Sequence, residues 1–228
     1  MASVKENLNL VLEEIQKFRR RSTFADEPVK LVAVTKNHGV DLMREAIDAG
    51  VNDVGENRVQ EAAEKFSILE RDGVTKHLIG HLQTNKAKQA VKLFDLIHSV
   101  DSINLAAAID KAASSIEKVQ DILIQVNLAN EDTKFGVSEE NLHGLIENVD
   151  ALKNLRLRGL MLIAPNYSDV EQCRPLFRRM KKIFDELAST RQDFNFLSMG
   201  MTHDYKIAVE EGSNIVRIGT AIFGERIY

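Results

Sequence analysis

The sequence predicts an α/β fold and, within that class, a (β/α)8 or TIM barrel. Eight short apolar runs alternate with stretches of helical periodicity, and the chain ends soon after the eighth run. We expect a helix at about residues 4–20, ahead of the first strand, to occupy the place of the final barrel helix. An open doubly wound sheet has the same alternation of elements and is the alternative.

The strand candidates are mostly near-continuous apolar runs, as expected of parallel strands that are covered by helices. They lie at residues 30–36, 52–56, 76–80, 96–101, 121–128, 156–163, 194–201 and 214–224. No linker rich in Pro, Ser and Gly divides the chain, so we expect residues 1–228 to form a single domain.

Helix boundaries are marked by two local signals between these strands. The stretch at 41–50 has helical apolar spacing and stops at Gly50, a residue that often ends helices. Ser168 and Glu171 have the spacing of a capping box and predict the start of a long helix.

Composition argues against several classes of function. The formal net charge is -4, so there is no strong basic field for nucleic acid or an anionic membrane. The longest apolar runs are too short to span a bilayer, and the acidic amphipathic N-terminus is unlike a signal peptide. A single cysteine cannot form an internal disulfide. We therefore expect a cytoplasmic protein with no nucleic-acid and no membrane partner.

The carboxyl ends of the strands form the functional face of such a barrel. Lys36 ends the first candidate strand, although a lysine in that position is usually a solvated cap. Phosphate sites often lie after strands seven and eight, where this chain has small residues and the hydroxyls of Ser198 and Thr220. The alternative is that Gly200 and Gly219 only relieve crowding at the rim.

Arg217 stands in the middle of the last apolar run, where a guanidinium needs a partner. An ion pair with a carboxylate such as Glu56 or Asp101 is one interpretation, and a hydrogen bond to a ligand is the other.

A lysine, a phosphate cradle and a buried arginine on one face suggest pyridoxal 5′-phosphate (PLP), whose aldehyde needs an amine for a Schiff base. A Schiff-base aldolase acting on sugar phosphates would use similar parts and is a separate hypothesis. No metal site is expected, because His77 and His81 straddle a strand end instead of sharing a helical face.

Four sequence blocks support a more specific hypothesis: LVAVTK, VGENRVQEAAEK, HLIGHLQTNK and a long block at 197–226. In these blocks the chain resembles the pyridoxal phosphate homeostasis protein family, which is similar to the barrel domain of alanine racemase. The resemblance covers nearly the whole chain and implies an alanine racemase-like barrel of PLP fold type III. Thr202 departs from the family pattern, since serine is common there.

The resemblance also implies roles for individual residues. Lys36 would form the Schiff base, Met199 would line the pocket, and Arg217 would face the pyridine nitrogen. The remaining predicted cofactor-binding residues are Asn57 beside the cofactor and Ser198, Gly219 and Thr220 at the phosphate. His81 and Asn85 lie near the same face without a defined role.

The expected function is that of a carrier with no catalytic residues. An arginine can only donate to the ring nitrogen, which makes the cofactor a weak electron sink. Racemisation needs a second acid or base opposite the lysine, and none of Tyr167, Tyr205 and Tyr228 is an obvious choice. The resemblance implies a role in vitamin B6 and amino-acid homeostasis. PLP-dependent apo-enzymes are the candidate recipients of the cofactor. Alanine racemase has an added β domain that this barrel lacks, and on that ground we expect a monomer. The alternative is a weakly active PLP-dependent amino-acid racemase.

Overall fold

The computed structural model describes residues 3–22, 24, 28–69, 73–129, 131 and 134–224. Within these ranges eight parallel strands pair in chain order, and β8 pairs back onto β1 to close a barrel. The predicted barrel is confirmed and the open sheet is wrong. The strands are β1 (Lys30–Val34), β2 (Asp53–Glu56), β3 (Thr75–Leu78), β4 (Leu96–Val100), β5 (Gln120–Val126), β6 (Leu155–Leu162), β7 (Phe196–Met201) and β8 (Ile215–Ile218).

Helices follow the strands and form the outer layer. They are α1 (Val4–Arg19), α2 (Val40–Asp48), α3 (Val59–Ile68), α4 (Ala87–Leu93), α5 (Ile103–Ser114), α6 (Glu139–Asp150), α7 (Arg174–Ala188), α8 (Tyr205–Glu210) and α9 (Thr220–Phe223), with 3-10 turns at Thr84–Lys86 and Val170–Cys173. No helix in the described ranges is both long and apolar enough to cross a membrane.

Helix α1 is the predicted extra helix, and it packs against the last strand and the last helix of the barrel, β8 and α9. A capping box at Ser3 and Glu6 fixes its start. Its buried face, which includes Leu8 and Ile15, belongs to the same apolar cluster as Val216 of β8 and Ile222 of α9. The short α9 alone covers little of the β8–β1 side, so α1 completes the outer layer there.

Two predicted boundaries differ from the structure. The last apolar run does not continue as a strand to residue 224, because β8 ends at Ile218 and α9 begins at Thr220. The capping-box prediction at Ser168 is wrong: Asp169 caps the turn instead, and its carboxylate accepts from the backbone N–H of Glu171 at 3.1 Å. The predicted stop at Gly50 is confirmed by its φ of 107°.

The barrel interior has an apolar part and a polar part. Since each member of one buried cluster comes from a different strand around the closed barrel, that cluster lies inside: Val32, Leu96, Leu123, Met161 and Ile215. Side chains alternate along a strand, so Arg217 faces inward two residues after Ile215. Polar side chains therefore cross the interior beside the apolar cluster.

Candidate functional site

The candidate site is the barrel mouth, where the carboxyl ends of the parallel strands meet. Lys36 lies two residues after β1 and is partly buried, and Asn57 directly follows β2. Gly219 and Thr220 follow β8 at the start of α9. The fold thus brings these four predicted residues to one end of the barrel.

The turn that carries Lys36 is clamped from both sides. Lys65 of α3 donates to the carbonyl oxygen of Thr35 at 2.7 Å, and the Thr35 hydroxyl donates to Glu56 Oε1 at 2.6 Å. Asn37 has a φ of 61° in the left-handed region, and its N–H donates to Glu61 Oε1 at 2.5 Å. These bonds on the residues before and after Lys36 hold its backbone in place.

Glu56 and Lys65 form the buried centre of this clamp. Their side chains are 2.7 Å apart, and Lys65 also donates to Glu61 at 2.7 Å. Burial raises the pKa of Glu56, against the lowering effect of Lys65 and Thr35. Its second oxygen, Oε2, is buried and has no hydrogen-bond partner among the described residues.

Asn57 presents an unsatisfied polar atom at the mouth. Its side-chain oxygen is buried and has no hydrogen-bond partner within the described part of the chain. Its backbone is held by the loop after β3, because a Cβ on Gly80 would lie 2.3 Å from the Asn57 carbonyl oxygen. A buried polar atom without a partner costs free energy, so a ligand that supplies a hydrogen bond would be favoured here.

The loops after β7 and β8 meet at a hydroxyl and a backbone amide. The Gly219 N–H points to Thr202 Oγ1 at a long distance of 3.4 Å. Gly200, with a φ of 95°, allows the close approach of α8, since its Cβ would lie 2.6 Å from that of Ala208. The first N–H groups of α9 have no partner within the helix. Small residues, a hydroxyl and backbone donors therefore lie together at the ends of β7 and β8, and such groups can bind an anion.

Ser198 lies deeper than the phosphate role predicted for it would require. It is fully buried in β7, where its Oγ accepts from Arg217 Nη1 at 2.6 Å and lies 3.0 Å from His98 Nδ1. Thr202 is the hydroxyl that lies beside Gly219. The predicted role of Ser198 gains no support from this geometry.

Arg217 has neither of the carboxylate partners considered for it. Its Nη2 donates to the Leu162 carbonyl oxygen at 2.9 Å, while Glu56 is paired with Lys65 on the outer side of the strand. Asp101 lies 3.8 Å from His81. Burial lowers the pKa of Arg217 to about 10, so the guanidinium is still cationic at neutral pH.

The position of Met199 gives no support to its predicted place in the pocket lining. It is fully buried in the cluster between strands and helices, together with Ile207 and Ala208 of α8. Neighbouring side chains on a strand point to opposite faces, so Ser198 inside the barrel places Met199 outside it.

The segment after β3 that carries His81 and Asn85 lies on the exposed rim of the barrel, outside the group of residues at the mouth. His81 stacks on Phe135 with ring centroids 3.6 Å apart, and Asn85 is exposed in the 3-10 turn after β3. Tyr205 is also remote, because its hydroxyl donates to Glu14 of α1 at 2.5 Å. Tyr167 follows β6 and is partly buried against the outer core. Tyr228 lies outside the described residues.

Sequence reasoning gave Thr202 no role at the cofactor site, and it did not connect the buried residues His98, His77 and Asp53, whose side chains contact one another in the structure. The signal for Thr202 was its position beyond the end of the seventh strand. The signal for His98 was a polar residue inside an otherwise apolar run, at the same alternation as Leu96. Nothing local linked these residues, because the contacts join strands that are distant in sequence.

Among the described residues, the mouth brings together the Lys36 amine, the Asn57 amide oxygen that has no hydrogen-bond partner and the donors at Thr202 and Gly219, with the inward-facing Arg217 cation nearby. An amine can bond covalently to an aldehyde, and the cradle and the arginine can bind a phosphate and an acceptor nitrogen. These are the groups that a pyridine aldehyde with a phosphate arm needs.

Comparison with known proteins agrees with this arrangement. The family model for the alanine racemase N-terminal domain matches residues 7–227. The pyridoxal phosphate homeostasis protein of Aquifex aeolicus is 44% identical over 98% of both chains. The protein of the same name from Escherichia coli strain K12 is 36% identical, over 100% of this chain and 99% of its own.

Solved structures give the same result. The PipY protein of Synechococcus elongatus with PLP bound has a TM-score of 0.84 and 35% identity, over 97% of this chain and 100% of that chain. An alanine racemase from Clostridium difficile 630 has a TM-score of 0.72 at 16% identity, over 96% of this chain and 56% of that chain. The second likeness concerns the fold alone.

Proposed function

We propose that this protein, which belongs to the pyridoxal phosphate homeostasis protein family, binds pyridoxal 5′-phosphate at the barrel mouth and takes part in vitamin B6 and amino-acid homeostasis. PLP supplies an aldehyde that forms a Schiff base with an amine. Lys36 is the amine at the mouth, held by the clamp of Glu56, Lys65 and Glu61 on either side of it.

The observation that carries this proposal is the convergence of Lys36, Asn57 and the Thr202–Gly219 cradle at one end of the barrel. Thr202 and the amides of Gly219 and Thr220 would hold the phosphate, with Thr202 in place of the predicted Ser198. Asn57 would offer its buried side-chain oxygen to a donor on the cofactor. Arg217, inside the barrel below the mouth, would donate to the ring nitrogen of the cofactor.

The same residues favour holding the cofactor over using it. Arg217 is cationic and can only donate, so it stabilises an unprotonated ring nitrogen. Tyr205 is bonded to Glu14 on the outside of the barrel and offers no acid or base at the mouth. We infer a non-catalytic carrier that acts in the cytoplasm as a monomer and passes PLP to apo-enzymes.

The test of binding is the absorbance spectrum of the purified protein after reconstitution with PLP. We expect a Schiff-base band in the wild type and in Lys182→Ala, which changes an exposed lysine on α7, and no band in Lys36→Ala. Borohydride reduction followed by peptide mass spectrometry locates the bond, which we expect at Lys36. A wild-type protein with no band overturns the proposed function, and so does a label at another lysine.

The carrier role needs a separate test. Reconstituted protein is incubated with single enantiomers of amino acids, and racemisation is followed by chiral chromatography. We expect no turnover, whereas turnover at ordinary enzyme rates favours the racemase alternative. Transfer is measured as the return of activity to a PLP-dependent apo-enzyme mixed with the loaded protein, against free PLP at the same concentration.

A further inference from the structure

A continuous chain of buried polar side chains crosses the inside of the barrel below the mouth. It begins at Asp53 on β2, passes through His77 on β3 and His98 on β4, and reaches Ser198 on β7 and Arg217 on β8. Successive heavy atoms are 2.9, 2.9, 3.0 and 2.6 Å apart. Every member is nearly or fully buried.

Both ends of this chain have a fixed hydrogen-bonding role. The Arg217 guanidinium can only donate, and an ionised Asp53 can only accept. Burial acts to raise the pKa of Asp53, but His77 and Lys30 outweigh it and hold that pKa below its usual value. Lys30 supplies a charge 3.0 Å from the Asp53 carboxylate at the opposite end of the barrel.

The fixed ends leave one arrangement in which both imidazoles are neutral and every bond has a donor and an acceptor. Ser198 accepts from Arg217 and donates to Nδ1 of His98. His98 then donates from Nε2 to Nδ1 of His77, and His77 donates from Nε2 to Asp53. The reverse direction would set an unprotonated ring nitrogen of His77 against the Asp53 carboxylate. Avoiding that contact would require a buried positive charge on His77 or His98 in addition to the one on Arg217.

We propose that His77 and His98 are positioning residues that orient Ser198 as the acceptor for Arg217 and so hold the guanidinium below the cofactor. The histidines touch neither the mouth nor Arg217, and they act through the Ser198 hydroxyl. The effect on PLP binding rests on the proposed function. The direction of the hydrogen bonds between Asp53 and Arg217 is a property of the protein without cofactor. Burial and the nearby charge of Arg217 hold the pKa of His98 well below its usual range, in keeping with a neutral ring.

The first test uses the wild-type protein without cofactor. Long-range 15N–1H NMR distinguishes the two neutral imidazole tautomers and the cation. We expect His77 and His98 to carry the proton on Nε2 at neutral pH, and exposed His143 serves as the internal reference for the imidazole signals. A proton on Nδ1 of His98, or a cationic His98, overturns the proposal.

The second test measures PLP affinity in variants at position 98. His98→Phe keeps a ring but removes the acceptor for Ser198, and we expect affinity to fall roughly ten- to a hundredfold, as for loss of a hydrogen bond to a charged group. His98→Gln retains an acceptor and a donor and recovers part of this loss. Leu123→Val, in the apolar interior cluster, alters packing without touching the chain and leaves affinity within about twofold.

The outcomes separate the two proposals. Equal loss of affinity in the Phe and Gln variants means that only the packing of the ring matters, and this overturns the positioning role. If the wild-type protein shows the expected tautomers but binds no PLP, the proposed direction of the hydrogen bonds stands and the proposed function is overturned. The expected tautomers with a selective loss in His98→Phe support both.

Discussion

Lys65 Nζ lies 2.7 Å from the carbonyl oxygen of Thr35, the residue immediately before Lys36. The same ammonium group contacts Glu56 and Glu61, each at 2.7 Å. One buried cation on α3 therefore joins the turn after β1, the end of β2 and the first turn of the helix. The position of the cofactor lysine depends on this clamp as well as on its own strand.

Lys65→Met is expected to destabilise the protein by about 3–5 kcal/mol, because it leaves the buried Glu56 carboxylate unpaired. The measurement is urea unfolding followed by circular dichroism. Lys182→Met removes an exposed lysine and is the control, with an effect within about 0.5 kcal/mol. The double variant with Glu56→Gln should recover part of the loss. A single variant as stable as the wild type would show that the clamp contributes nothing.

Thr202→Val tests which hydroxyl binds the phosphate. Valine has the shape of threonine but cannot hydrogen-bond, so we expect PLP affinity to fall roughly tenfold. Equilibrium titration followed by absorbance gives the dissociation constant. Thr190→Val is the matched control, since that hydroxyl bonds Leu187 at the end of α7, away from the mouth. An unchanged constant in Thr202→Val would remove Thr202 from the phosphate site.

Gly200→Ala is expected to lower the melting temperature, because position 200 has a φ of 95° and the new Cβ would lie 2.6 Å from Ala208. Both strain and overlap oppose the substitution, at a combined cost of about 2–4 kcal/mol. Gly144→Ala is the opposite case, since it lies in α6 with no atom within 4 Å of the added Cβ. That variant should gain up to about 1 kcal/mol. Equal melting temperatures for the two variants would contradict the prediction.

Asp53→Asn is expected to change how stability depends on pH. The folded-state pKa of Asp53 lies below the unfolded value of about 3.9. Its contribution to stability is therefore present above that value and is lost as the pH falls through the folded-state pKa. The difference in unfolding free energy between wild type and variant should be largest near neutral pH and should shrink below about pH 4.

Denaturant unfolding at a series of pH values measures this difference. Asp41→Asn, at a carboxylate that is 88% exposed, serves as the surface control. A constant difference between wild type and Asp53→Asn across the series would mean that the charge on Asp53 does not stabilise the fold.

The sequence by itself determined the order and number of the elements, because each strand and helix has its own apolar period. Closure of the barrel did not follow from that order, because an open doubly wound sheet has the same alternation; the pairing of β8 with β1 in the structure decided it. The positions of Lys36, Asn57 and Gly219 at one end followed once the strands were taken as parallel, since parallel strands end on the same face. The predicted last strand was nevertheless too long, because an apolar run does not show where a strand ends and a short helix begins.

Only the tertiary structure decided which polar groups meet. Met199 faces the outer core, Ser198 binds Arg217, and Lys65 supports the turn that carries Lys36. The physical reason is that these contacts join residues on different strands and helices, whose relative register is set by the closed barrel. The chain from Asp53 to Arg217 joins five strands, and no local pattern along the sequence could have indicated it.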